Sequence, residues 1–235
     1  MIDVRPFGGL GHADHGWLNA RHHFSFANYH DPARMGWGAI RVWNDDEIGA
    51  KTGFPPHGHA DMEIITYVRK GAISHRDSLG NEGRTPGGDV QVMSAGTGIH
   101  HSEYNKNENE AVKFLQIWIY PNKKNVAPRY DQVSLKMDDR KNKLQQILSP
   151  NSDDEGVWIH QDAWFHLGTF DNGAAAKYTF KKPGNGVYAF VLKGKFNLDG
   201  IDIENRDGLG IWETAEFMLT SSEEGSEILL MEVPM

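Results

Sequence analysis

The chain is predicted to be all-β, folded as two successive antiparallel β-barrel domains. Three observations carry that expectation. Short runs rich in β-branched and aromatic residues, such as Ile64-Ile65-Thr66-Tyr67-Val68, recur between turns marked by Gly and Pro. Two histidine-bearing motifs space their polar residues by two, the period of a strand and not of a helix. The pattern of the first half then returns in the second, as a duplicated unit would.

Residues 1–48 mix glycines, histidines and aromatics. Phe24-Ser25-Phe26 alternates as a short strand does, and Ala39-Ile40-Arg41-Val42-Trp43 reads as another. His12, His15, His22, His23 and His30 read as surface or hydrogen-bonded side chains; His22 or His23, should either reach a pocket, would be a substrate contact. In the next stretch, Phe54-Pro55-Pro56-His57-Gly58-His59, the prolines argue against a helix, and on a strand His57 and His59 project from one face. From 61 to 120 the pattern is all β. Ala72–Asp77 returns from the 64–68 run, Ser78–Asn81 and Arg84–Asp89 are turns, and Val90–Met93 leads to a glycine-rich turn ending in His101 and Glu103, again two apart. Lys113–Ile119 closes the set.

Residues 122–150 are polar and charged and read as a connector with a solvated face, within which Leu144–Leu148 fits either a helical turn or a strand. The earlier wording then recurs. Phe190-Val191-Leu192-Lys193-Gly194 echoes Tyr67-Val68-Arg69-Lys70-Gly71, Asp207-Gly208-Leu209 echoes Asp89-Val90-Gln91, and Ile228–Val233 stands where Phe114–Ile119 stood. No histidine lies between 167 and 235, so the second copy lacks both polar pairs. Two domains are expected, 1–135 with a metal site and 136–235 without one.

Three imidazoles and a carboxylate, with no thiolate, suit Fe(II), Mn, Co, Ni, Cu or Zn and disfavour Ca and Mg. Four protein ligands on a six-coordinate ion leave two positions open. Phe24, Phe26, Met62 and Trp118 are the candidate walls of an apolar substrate pocket at the mouth of the barrel.

Composition bounds the rest. With 235 residues, 39% of them hydrophobic and including seven Trp and eleven Phe, the chain can build a core. The absence of cysteine excludes disulfides, thiolate metal sites and thiol catalysis. A net charge of −8 without a sizeable Lys/Arg cluster argues against direct nucleic-acid binding. No export signal or membrane span is visible, and a cytoplasmic location is the expectation.

The run His57-Gly58-His59-Ala60-Asp61-Met62-Glu63-Ile64-Ile65-Thr66-Tyr67-Val68-Arg69-Lys70-Gly71 resembles the first cupin motif in its pirin form, and Gly88–Glu103 resembles the second. Phe24–Tyr29, Gln116–Pro121 and Pro128–Gln132 are also similar to pirin sequences, most of all to bacterial pirin-like proteins assigned as quercetin 2,3-dioxygenases. The resemblance implies a bicupin of two double-stranded β-helix, or jelly-roll, domains. It implies a metal held by His57, His59, His101 and Glu103, with Fe(II) favoured. In many other cupins the glutamate of the first motif, here Glu63, is a ligand. The pirin pattern favours Glu103 and leaves Glu63 as a group behind the ligands or an exchange candidate. The implied activity is oxygen-dependent cleavage of a flavonol such as quercetin at the 2,3 bond, with Glu103 doubling as general base. The alternative is a metal-binding, redox-sensing partner of transcription factors.

Overall fold

The computed structural model describes residues 1–235. Apart from two 3-10 turns, Phe7–Gly9 and Met137–Arg140, all regular structure is strand. No helix is long and apolar enough to cross a membrane. The chain forms two compact units. One comprises Gly11–Leu135 and Val157–Gln161; the other comprises Met1–Leu10, Lys136–Gly156 and Asp162–Met235.

In the first unit a larger sheet orders its strands Arg129–Val133, Val90–Ser94, Glu63–Lys70, Val112–Ile119, Ile40–Ile48, Leu18–His22 and Gly11–Asp14. A smaller sheet orders Gly53–His59, Ile99–Tyr104, Ala72–Asp77 and Glu82–Pro86. The second unit repeats this plan. Its larger sheet runs Ile2–Arg5, Gly208–Trp212, Asn185–Lys193, Ser226–Pro234, Trp164–Phe170 and Leu144–Ser149. Its smaller sheet runs Ala175–Thr179, Glu216–Ser221, Lys195–Leu198 and Ile201–Glu204. The all-β, two-domain cupin expectation is met, with one correction. The sheets are not closed barrels: no ladder joins larger sheet to smaller, so each unit is a pair of open sheets packed through side chains.

The duplication extends to fine detail. Lys70-Gly71 and Lys193-Gly194 make the same tight reversal, and each glycine holds a positive φ (82° and 77°) that a side chain would strain. Next to each turn the ladder carries a bulge. Phe114 faces Val68 while Lys113 faces Lys70, and Ile228 faces Val191 while Glu227 faces Lys193. Shared turns and bulges fix a one-to-one register between the units.

Three local readings resolve differently from the sequence pattern or settle it. Phe24–Phe26 is a bend, not a strand: Phe26 bridges only to Tyr29, around Ala27 at φ 48°. Leu144–Ser149 is a strand. Within the polar connector, Arg129–Val133 is an edge strand, because Tyr130 and Gln132 find hydrogen-bond partners on the sheet.

Candidate metal centre and cavity

Six residues sit side by side at one level of the first unit's larger sheet, each the cross-strand neighbour of the next: His22, Asn44, Gln116, Thr66, Gln91 and Gln132. All are polar, on strands whose inward neighbours include Ile48, Val68 and Phe114. A buried polar group is tolerated only when it is paired, and these pair with one another. His22 Nδ1 lies 2.8 Å from Asn44 Oδ1. Thr66 Oγ1 lies 2.9 Å from Gln116 Oε1. Gln91 Oε1 accepts from the hydroxyls of Thr85 (2.7 Å) and Tyr130 (3.1 Å).

Glu103 descends onto this row from the smaller sheet and is 1% exposed. Its Oε2 accepts from Gln116 Nε2 at 2.7 Å and its Oε1 from Gln91 Nε2 at 2.9 Å. The Thr66 hydroxyl is 3.2 Å away but has a single proton to share with Gln116. Two amide donors therefore orient the carboxylate and leave it further acceptor capacity.

The imidazoles come from two neighbouring strands. Gly53–His59 lies at the sheet edge, where Pro55 and Pro56 withhold no N–H from a second neighbour. His57 stands directly opposite His101, and His59 opposite Ile99. Ring centroids are 4.8 Å apart for His57–His59, 4.5 Å for His57–His101 and 5.0 Å for His59–His101. One nitrogen from each ring lies within 4.8 Å of the others.

The nitrogens are free to bind. His57 Nδ1 is 2.8 Å from the Pro55 carbonyl, which can only accept, so the ring proton sits there and Nε2 is bare. His59 Nε2 and His101 Nε2 are buried without a hydrogen-bond partner. Burial first, then the neighbouring imidazoles, push His59 down to about 4 and His101 down to about 3. Unpartnered ring nitrogens gathered this closely fit a divalent transition metal, and the nitrogen–oxygen donor set fits it as well.

Glu63 is not brought to this group. Alternation along Glu63–Lys70 turns it to the face opposite Thr66, where it accepts from Ser94 Oγ at 2.6 Å. Burial, only partly opposed by that bond, by a backbone bond from His160 and by Arg129, raises it to about 7.

A cavity of about 320 Å³ opens beside the imidazoles. Its lining includes His57, His59 and Glu103 and is otherwise mainly apolar, with Leu18, Ala20, Phe26, Phe54 and Trp118 among the walls. Of the expected walls, Trp118 stands edge-on to His59 at 4.8 Å, and Phe26 edge-on to Trp118 at 5.4 Å. Phe24 and Met62 do not line it. Phe24 is wholly buried, and Met62 packs on Ile64, Met93, Ala95 and Ile99. His22 does line it, as does Asp46, whose Oδ1 is buried without a partner. Burial, then Asp45 and Glu103, hold the Asp46 carboxyl well above the usual carboxylate range.

Sequence reasoning passed over Thr66, Gln91, Gln116 and Asp46. The signal available was an amide or acid at an inward position of an apolar strand, as in Val90-Gln91-Val92 and Leu115-Gln116-Ile117.

Comparison with known proteins adds to this geometry. The pirin family model matches residues 4–119, and the model of the quercetinase C-terminal cupin domain matches residues 146–233. A pirin-like protein of Caulobacter vibrioides is 49% identical over 98% of this chain and 99% of its own length. The quercetin 2,3-dioxygenase of Escherichia coli is 41% identical over 100% of this chain and 99% of its own. The crystal structure of the bacterial pirin YhhW from Escherichia coli, in complex with nickel(II), superposes with a TM-score of 0.94 at 40% identity, covering 100% of this chain and 99% of that one. Similarity of this extent over both units makes the chain a member of the pirin family.

Proposed function

We propose that the chain is a metal-dependent dioxygenase that cleaves a flavonol, quercetin or a close relative, across its 2,3 bond with O2. The observation that carries the reading is the grouping of three imidazoles, two of which line a small, mainly apolar cavity together with Glu103. Such a chamber suits a planar aromatic substrate whose one polar edge must meet the metal end. The names of the full-length relatives support the same chemistry.

His57, His59, His101 and Glu103 would hold the ion, with Fe(II) favoured among the first-row metals. When bound, such an ion supplies Lewis-acid activation of the substrate's 3-hydroxyl and a redox route to dioxygen. The residues of the chain do the rest. Trp118 and Phe26 set the plane of the flavonol and, with Leu18 and Ala20, keep water from the reacting edge. Glu103, held by Gln91 and Gln116, takes the proton of the 3-hydroxyl at its remaining acceptor position. Asp46, in the same lining and with an unpartnered Oδ1, is a further polar contact for a substrate oxygen. The C2–C3 and C3–C4 bonds then break, C3 leaves as carbon monoxide, and the two atoms of O2 end on C2 and C4 of the ring-opened ester.

The test is loss of flavonol absorbance on incubation with the metal-loaded protein, with and without oxygen. Oxygen-dependent loss is expected. No loss over a panel of flavonols and first-row metals would overturn the reading and leave a metal-binding protein without this activity.

A further inference from the structure

Behind His101 lies a second polar group that the proposed chemistry does not use. His101 Nδ1 is 3.4 Å from His75 Nδ1, and His75 Nε2 is 3.2 Å from Asp77 Oδ2. All three residues are buried. The far end of this chain is anchored. Asp77 Oδ1 accepts from the backbone N–H groups of Leu79 (2.9 Å) and Asn81 (3.0 Å), and Oδ2 from Asn81 Nδ2 (2.9 Å). Its carboxylate is thus part of the turn that follows Ala72–Asp77.

His75 is fixed from the side as well. Tyr130 stacks on it with centroids 4.1 Å apart and planes 12° from parallel. That stack depends on Gly83, the cross-strand neighbour of His75, where a Cβ would come within 2.2 Å of the Tyr130 hydroxyl oxygen. The Tyr130 hydroxyl in turn reaches Gln91, the residue that holds Glu103.

The proton order follows from what each atom can do. A carboxylate oxygen that already accepts requires the proton of His75 on Nε2. With that single N–H directed at Asp77, His75 Nδ1 is left as an acceptor, and the matching donor is His101 Nδ1. His101 Nε2 is then left bare, and it is the atom buried without a partner. The grouping of His75, His101 and Glu103 within 4.8 Å could suggest a second ion. Both nitrogens of His75 are already engaged, and His101 Nδ1 with them, so the group reads as a hydrogen-bonded relay.

We propose that His75 is a positioning residue: with Asp77 it holds His101 in the Nδ1–H tautomer, aiming Nε2 at the ion. The inference rests on the metal-centre reading above, but its first readout needs no metal. Outer partners of this kind typically change metal affinity by roughly 10–100-fold.

The experiment pairs long-range 1H–15N NMR of the imidazoles in the metal-free protein with nickel(II) titration. In the unmodified protein His101 is expected as the Nδ1–H tautomer. His75→Leu should scramble that signature and weaken nickel binding roughly 10–100-fold, and His75→Gln, which retains an acceptor, should recover most of the loss. Gly83→Ala, which displaces Tyr130, should weaken binding less than His75→Leu. A His101 proton on Nε2 in the unmodified protein overturns the proposal, and this decides the matter even if His75→Leu fails to fold. Unchanged nickel affinity in a folded His75→Leu protein overturns it too. A His57→Ala His59→Ala variant that binds nickel as tightly as the parent would instead sink the metal-centre reading, whatever the tautomer of His101.

Discussion

The two units share strand order, turn and bulge, yet the positions that line a polar-ended cavity in one are packed into an apolar cluster in the other. Counting outward from Gly71 and Gly194, the register pairs seven polar residues of the first unit with apolar ones of the second. Thr66 corresponds to Ala189, Gln91 to Leu209 and Gln116 to Leu230. On the smaller sheets His75 corresponds to Leu198, Glu103 to Leu219, His101 to Phe217 and His57 to Tyr178. All seven replacements belong to a single buried cluster. In the first unit Phe114 and Ile73 belong to one apolar cluster, and Ile64 and Met93 to a separate one. One backbone therefore serves either as a packed core or as a metal-and-cavity frame. The choice lies in a handful of inward positions.

The comparison can be broken or sharpened by exchanging residues between equivalent positions. The largest effect is expected for Glu103→Leu, which writes the second unit's residue into the first. It removes a proposed ligand and leaves the amides of Gln91 and Gln116 without their acceptor. Nickel affinity should fall by more than roughly 100-fold, beyond what outer partners of a ligand contribute, as measured by titration calorimetry.

An exchange in the other direction, Leu219→Gln at the position equivalent to Glu103, buries an amide between Leu198 and Ala176. It should destabilise the second unit by about 3 kcal/mol in denaturant unfolding and leave nickel binding unchanged. A stable Leu219→Gln protein would mean that the apolar filling of the second unit is not what excludes polar groups.

A third test uses His166, which stands in the second unit where Asn44 stands in the first. Its Nδ1 is buried without a partner, and burial, then Lys181, pushes it down to about 3 from 6.5. Below pH 6.5 the unfolded chain binds this proton and the folded one does not. Stability is therefore full above pH 6.5 and declines as pH falls toward 3. The loss from pH 6.5 to 5 should be about 2 kcal/mol, and His166→Leu should flatten that acid limb in chemical denaturation.

The smallest effect is expected for Gln116→Leu. It leaves Glu103 Oε2 short of a donor while the Thr66 hydroxyl can still turn to Glu103 Oε1, for about 1–2 kcal/mol. The same change made in a Glu103→Leu background should cost less. Additivity in that double-mutant cycle would show that the two side chains are not coupled.

The sequence made the strands and the histidine pairs readable for a physical reason. Period-two spacing, Pro55-Pro56 and the Gly-rich turns are local signals, and the repeat around Lys70-Gly71 and Lys193-Gly194 marked the duplication. What escaped was set by contacts distant in sequence. The Ile2–Arg5 strand pairs with Gly208–Trp212, some 200 residues away, which no local pattern announces. The polar row is invisible along the chain because its six members lie on six different strands and line up only in the folded sheet. Phe24 and Phe26 looked like one strand and one wall. The bend at Ala27 separates them, sending Phe26 to the cavity and Phe24 to the core. Glu63 and Glu103 were equal candidates as residue types, and strand alternation, seen only with Thr66 as reference, puts them on opposite faces.

The most direct measurement is native mass spectrometry of the metal-loaded chain beside its His57→Ala His59→Ala variant. The account predicts one ion per chain in the parent protein and none in the variant. An ion retained by the variant, or a second ion in the parent, would contradict it.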